Sequence, residues 1–196
     1  MTKLKHFLIT IFFLSIGIVK GYSYDFVTNG IYYNILSTTD KTVEVTYKYL
    51  SSDGYSLSDY SGDIIIPQNI VYEGVTYNVT SIDENAFYGC SGLTEIIIED
   101  GESILDLGTK SFYSLGSLNT LYLGRTLRGG SIASSYLSSL EIGNKVTSIP
   151  NSAFASCSKL TGILKLPASL VSIESNAFAN TGYTSCSILA TEPPVV

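Results

Sequence analysis

Apolar residues in this chain recur in short blocks that repeat along the sequence. The pattern S-I-x-x-x-A-F occurs at 81–87, 148–154 and 172–178, and a worn copy ends at Phe112, with Leu107 in the Ile place and Ser111 in the Ala place. The four Phe are 25, 42 and 24 residues apart, so the middle interval holds a skipped or shortened unit. A second pattern, L-x-x-[LI]-x-[LI], keeps the same phase. It runs at Leu93/Ile96/Ile98, Leu118/Leu121/Leu123, Leu137/Leu140/Ile142 and, with one extra residue, Leu160/Leu164/Leu166. Its starts fall 25, 19 and 23 residues apart, which makes the third unit short and leaves it without an A-F segment of its own. Cys186 and Ile188 continue the series.

Alternation in each L-x-L block predicts a strand that sends every second side chain inward. One such strand cannot bury its apolar row alone, whereas stacked copies cover one another. A period of 20–29 residues with this strand signature is that of leucine-rich repeats. The expected fold is therefore a curved, β-rich leucine-rich-repeat solenoid. Short helical or 3-10 turns on the convex side would carry the A-F segments, with Phe87, Phe112, Phe154 and Phe178 filling the far side of the core.

Before the repeats, residues 22–78 alternate without a helical period. Strands are expected at 31–35, 42–49, 64–66 and 71–77, with a hairpin turn at Glu73-Gly74 and a loop at 51–54. This region reads as an N-terminal β cap, because an uncovered sheet end would expose an apolar row. Ten of the fifteen Tyr lie here, and strand propensity accounts for them without any ligand. The domain reading is 1–21 signal peptide, 22–78 cap, 79–190 repeats with the third shortened, and 191–196 a Pro-rich stub. At the stub, either Pro193 and Pro194 blunt the last edge or the last turn is left to pair with a partner.

Residues 79–98, VTSIDENAFYGCSGLTEIII, resemble the BspA-type leucine-rich repeats of bacterial surface and secreted proteins. The stretches YDFVTNGIYYNI, SGDIIIP and YEGVTYNVTSI resemble the leader of the same family, so the likeness covers nearly the whole chain after residue 22. The resemblance implies a β-rich repeat fold and an adhesin-like or host-interaction role, with no particular ligand.

Composition adds a location and removes several functions. Lys3, Lys5 and His6 precede an apolar run of thirteen residues at 7–19, short of the roughly 20 needed to span a bilayer. Small residues at Gly21 or Ser23 offer cleavage points, so a secreted or surface-exposed protein without membrane insertion is expected. Removal of residues 1–21 leaves eight Lys and Arg against seventeen Asp and Glu, a net charge of −9. An acidic surface of this kind excludes nucleic acid as a partner.

His6 is the sole His and leaves with the signal segment, so Ser/His and Cys/His nucleophile pairs and His metal sites are not expected. No cofactor, metal or enzymatic activity is predicted. The acidic group Glu99, Asp100 and Glu102 lacks the spacing of a Ca²⁺ loop and reads as a solvated corner. Cys90 and Cys157 hold the place that Leu115 fills in the second unit, which marks it as a packing position. Three rungs at about 4.8 Å separate the two thiols by roughly 14 Å, too far for a disulfide, whereas a Cys157–Cys186 pairing stays open.

The strand face opposite the core remains as the candidate ligand-binding site. It carries Glu95, Ile97 and Glu99 on the first unit, Tyr122 on the second, Glu141 on the third, and Ile163 and Lys165 on the fourth. Tyr122 flanked by Glu95 and Glu141 would anchor an extracellular protein or glycan. Self-association through the C-terminal edge is the competing expectation.

Overall fold

The structure, a computed structural model, describes residues 21–50, 56–132 and 134–189. The expected signal segment up to residue 20, the loop at 51–54 and the stub at 191–196 lie outside the described residues. Among the described residues every regular element is a strand and none is a helix.

Four strands form a front sheet. Ser61–Ile66, Gly92–Ile98, Thr120–Leu123 and Ser139–Ile142 lie side by side, parallel and in chain order. Their register stacks Ile66, Ile98, Leu123 and Ile142 in one inward row, with Ile64, Ile96, Leu121 and Leu140 in the next. Ile66, Ile96, Ile98 and Leu123 are fully buried, which is the alternation expected of the repeat strands. Ser61–Ile66 was read from sequence within the cap, yet it pairs in parallel with the first repeat strand and forms the first rung of this sheet.

A second, side sheet starts with an antiparallel meander of Phe26–Thr28, Ile31–Ser37 and Thr42–Val45. Thr42–Val45 then pairs in parallel with Val75–Ile82, followed by Leu105–Leu107 and Leu127–Arg128. The strand expected at 42–49 ends at Val45, and Tyr49–Leu50 pairs instead with Gly21–Tyr22. Asn69–Tyr72 and Val75–Ile82 form the expected hairpin. Its turn residues, Glu73 and Gly74, have φ of 49° and 76°, as a two-residue turn with positive φ at both positions requires.

The A-F segments are turns rather than helices. Ala86 N donates to Asp83 O, Tyr88 N to Asn85 O and Cys90 N to Phe87 O, each a three-residue step that does not propagate. Left-handed residues interrupt it: Asn85, Lys110, Ser152 and Asn176 lie three after the Ile position, and Gly89, Ser114, Ser156 and Asn180 two after the Phe. A helix would need negative φ at every one of these places.

The third unit proves to have a disguised copy of the motif. Leu127 stands five residues before Ile132, as Ile149 does before Phe154, and Gly130 has the left-handed conformation of Asn85 and Ser152 (φ 58°). Ile132 N donates to Ala153 O just as Phe154 N donates to Ala177 O, so Ile132 occupies the Phe place and is fully buried. The shortening lies mostly at the corner between sheets. Leu123 to Leu127 takes four residues, where Ile98 to Leu107 takes nine and Ile142 to Ile149 takes seven.

Both sheets are interrupted next to this unit. The front ladder stops at Ser139–Ile142 and resumes as the pair Thr161–Pro167 and Gly182–Leu189. The side ladder stops at Leu127–Arg128 and resumes as Ser148–Ile149 with Ser172–Ile173. Thr147 N to Thr126 Oγ1 (2.8 Å), Ser131 Oγ to Ser152 O (2.9 Å) and the Ile132–Ala153 bond cross the seam.

Candidate functional site

The interruption of the front sheet creates a groove. Strands Ser139–Ile142 and Thr161–Pro167 are neighbours without a ladder between them, and a hollow of about 620 Å³ opens there. Gly143 N bonds Leu123 O and Ser139 N bonds Asn119 O, so the odd-numbered residues of this strand serve the Tyr122 strand. Alternation then points the peptide groups of Leu140 and Ile142 toward the groove.

Four of the seven residues expected on this face line it: Tyr122, Glu141, Ile163 and Lys165. Asp100 and Lys145 join them from the corners. Glu95, Ile97 and Glu99 lie on the earlier rung, outside the groove. The register places Ile97, not Glu95, beside Tyr122, with Glu141 on its other side, while Glu95 faces Asp63 and Thr120.

The phenol of Tyr122 donates to Asp100 Oδ1 at 2.9 Å. Desolvation, reinforced by that bond and by the Asp100 and Glu141 charges, pushes the Tyr122 pKa up to about 12. A glycine makes this arrangement possible, since a Cβ on Gly143 would lie 2.7 Å from both the Tyr122 oxygen and Asp100 Oδ1. Glu141 and Lys165 make no hydrogen bond or ion pair among the described residues, so the groove presents one free carboxylate and one free ammonium. Ile163 adds an apolar surface that is 58% exposed.

The three acidic corner residues go to three different partners. Glu99 accepts from Gln68 N (3.1 Å), Asp100 from Tyr122, and Glu102 from Lys145 Nζ (2.6 Å). The hydrogen bond to Glu102 raises the Lys145 pKa. Among the described residues no group of three or more His, Cys, Asp or Glu is placed to hold a metal ion. Cys90 and Cys157 are free and buried as expected, and Cys186 is free and exposed, which answers the open question of its pairing.

No apolar or charge pattern singles out Arg125. It sits at the four-residue corner, fully buried, and its Nη1 donates to Val79 O (2.7 Å) while Nη2 donates to Pro67 O (2.9 Å). Burial pulls its pKa down to about 10, opposed by the charges of Glu99 and Tyr33, so it stays a cation at neutral pH. The usable signal was the corner length, because a short corner beneath longer neighbours draws its side chains inward.

A strand-turn unit repeated in parallel ladders, with an apolar row inside and a polar strand face outside, defines a leucine-rich repeat protein. The chain belongs to the BspA-type leucine-rich repeat family, whose model, a BspA type leucine rich repeat region of six copies, matches residues 68–129 and 125–192. No curated protein matches the chain. Among solved structures it is similar to the leucine-rich repeat protein TpLRR of T. pallidum, with 22% identity and a TM-score of 0.54 over 79% of this chain and 66% of that one. A leucine-rich repeat protein of Bacteroides capillosus matches at 22% identity and TM-score 0.48, over 84% of this chain and 98% of that one. The pneumococcal vaccine antigen PcpA matches at 18% and 0.47, over 83% of this chain and 49% of that one. The chain thus spans about two thirds of the T. pallidum protein and about half of the pneumococcal one. At these identities the likeness to TpLRR concerns the fold.

Proposed function

We propose that the protein is a non-enzymatic, adhesin-like binding protein, secreted or held at the cell surface, that recognises a protein or a glycan through its front strand face. In this reading the repeats form a curved solenoid, the antiparallel meander caps its first rung, and the front sheet is the concave side. Membership of the BspA-type family supports the role, and the expected signal segment supports the location. The observation that carries the site is the groove at the interrupted ladder. It combines an aromatic ring, a free carboxylate, a free ammonium, an exposed Ile and, among the described residues, the peptide edge of a strand without a ladder partner in about 620 Å³, a volume suited to partner side chains or a sugar. Partner capture by the chain from residue 24 onward tests this. Capture should be lost when Tyr122, Glu141 and Lys165 are replaced by Ala, and undiminished capture would remove the groove as the site.

A second reading, assembly through the C-terminal edge, is favoured by one observation. Ile188 is 70% exposed beside the apolar hollow of Leu166, Leu170 and Ile173, where the earlier rungs bury the matching Leu166 and Ile142, and Val171 is 86% exposed at the rim of the same hollow. Light scattering decides it, since a strict monomer at high concentration removes edge pairing.

A further inference from the structure

The turns carry exposed aromatic rings away from the front sheet. In the first two units the residue after Phe is Tyr, and Tyr88 and Tyr113 stack at 5.7 Å with an 11° angle between rings. The third unit has five residues from Ile132 to Leu137 where the others have six from Phe to Leu. This deletion puts Tyr136 directly before the strand Leu, where other units have Gly92, Ser117 and Lys159. Among the described residues the turn ladder also stops here. Asn85, Phe87 and Gly89 each donate a backbone bond to the second turn, but among the described residues no backbone bond joins 110–116 to 130–136. A hollow of about 350 Å³ remains between the two turns, with Tyr113 and Tyr136 among its lining residues.

The chemistry of this hollow is specific. Tyr113 and Tyr136 are 57% and 49% exposed, the largest apolar surfaces on these turns. Between them the lining is Ser114, Leu115, Gly116, Ser134 and Ser135, with no charged side chain. Each ring is braced by a neighbour that does not line the hollow. Tyr88 stacks on Tyr113, and Lys159 Nζ stands 5.0 Å from the centre of the Tyr136 ring. Rings held in this way lose little freedom when a ligand arrives. An uncharged ligand with flat C–H faces and a rim of hydroxyls suits two aromatic walls and a serine-rich floor. An anion would find no cation in the lining, and a purely apolar ligand would desolvate the serines without return.

We propose that Tyr113 and Tyr136 are the walls of a saccharide slot that takes a neutral pyranose unit of an oligosaccharide. The slot shares no residue with the front groove, so each stands or falls alone. The test is calorimetric titration of the full chain with cellohexaose, maltohexaose and chitohexaose. At least one should bind. Tyr113→Ala and Tyr136→Ala should each weaken that binding by about tenfold or more, the scale of a lost aromatic contact. Tyr113→Phe and Tyr136→Phe should keep it, because the ring and not the hydroxyl makes the wall. The proposal is overturned if none of the three sugars binds, if the Ala variants bind as the parent does, or if choline, a probe for a cation-binding aromatic pair, displaces the sugar from the same two rings.

Discussion

Arg125 donates a 2.7 Å hydrogen bond from Nη1 to the carbonyl of Val79, forty-six positions earlier in the chain. With the Nη2 bond to Pro67 O, one side chain ties the second corner to the start of the first repeat and to the end of the strand Ser61–Ile66. Val79 N already bonds Gln68 O, so the guanidinium caps two buried carbonyls on either side of that link. Arg125→Ala should therefore lower stability by about 3 kcal/mol, from a cavity and carbonyls left without donors. Arg125→Met refills the volume and removes a buried charge, so its loss should be smaller, about 1 kcal/mol. Urea unfolding midpoints check both. An Ala variant within about 0.5 kcal/mol of the parent would show that the tie contributes nothing.

Two glycines at successive corners should respond oppositely to the same substitution. A Cβ on Gly124 would lie 2.4 Å from Asp100 N and 2.5 Å from Ile98 O, both backbone atoms of the rung beneath. Gly124→Ala has to push the rungs apart and should cost about 3 kcal/mol. At Gly143 the two nearest atoms are the ends of side chains, which can swing away, and the nearest backbone atom, Gly124 Cα, is 3.2 Å off and has to give only slightly. Gly143→Ala should cost less than about 1 kcal/mol while breaking the Tyr122–Asp100 bond. Thermal unfolding of the pair distinguishes them, and equal losses would contradict the corner geometry.

The Tyr122–Asp100 bond also has a pH signature. The folded pKa of Tyr122 lies near 12, above its ordinary value of 10.0. A raised pKa means that its contribution to stability is complete below about pH 10 and is lost as pH rises through about 12. Absorbance titration at the tyrosinate band should show one tyrosine that returns toward pH 10 in Gly143→Ala and Asp100→Asn. A profile unchanged in both variants would separate the shift from this bond.

The regular units were legible because two apolar motifs kept one phase. Ile96, Ile98, Leu121 and Leu123 point inward as their alternation required, and Cys90 packs where Leu115 does. Irregular places were hidden because their signal is length and not residue type. Ile132 escaped notice since an Ile replaces the Phe. Arg125 escaped it because a lone Arg beside a Gly reads as a surface corner until four residues are seen where neighbours use seven or nine. The groove was half visible. Tyr122, Glu141, Ile163 and Lys165 were read from strand parity, but the broken ladder that joins them depends on how the rungs pack.

The three thiols offer the last prediction, since repeat phase gives them unlike surroundings. Burial raises the Cys90 pKa to about 11 and raises that of Cys157 too, while Cys186 stands on the exposed strand Gly182–Leu189. The thiolate is the reactive form, so a raised pKa and a buried sulfur both slow modification. A disulfide reagent at pH 8 should label Cys186 rapidly in the native protein and Cys90 and Cys157 only on unfolding. For Cys90 the sign follows from the shift: the neutral thiol's packing is intact below about pH 9 and is lost as pH rises toward 11. Native labelling of Cys90 at pH 8 as fast as that of Cys186 would mean that the first turn opens to solvent, contrary to its buried position with Sγ turned to Ser58 O.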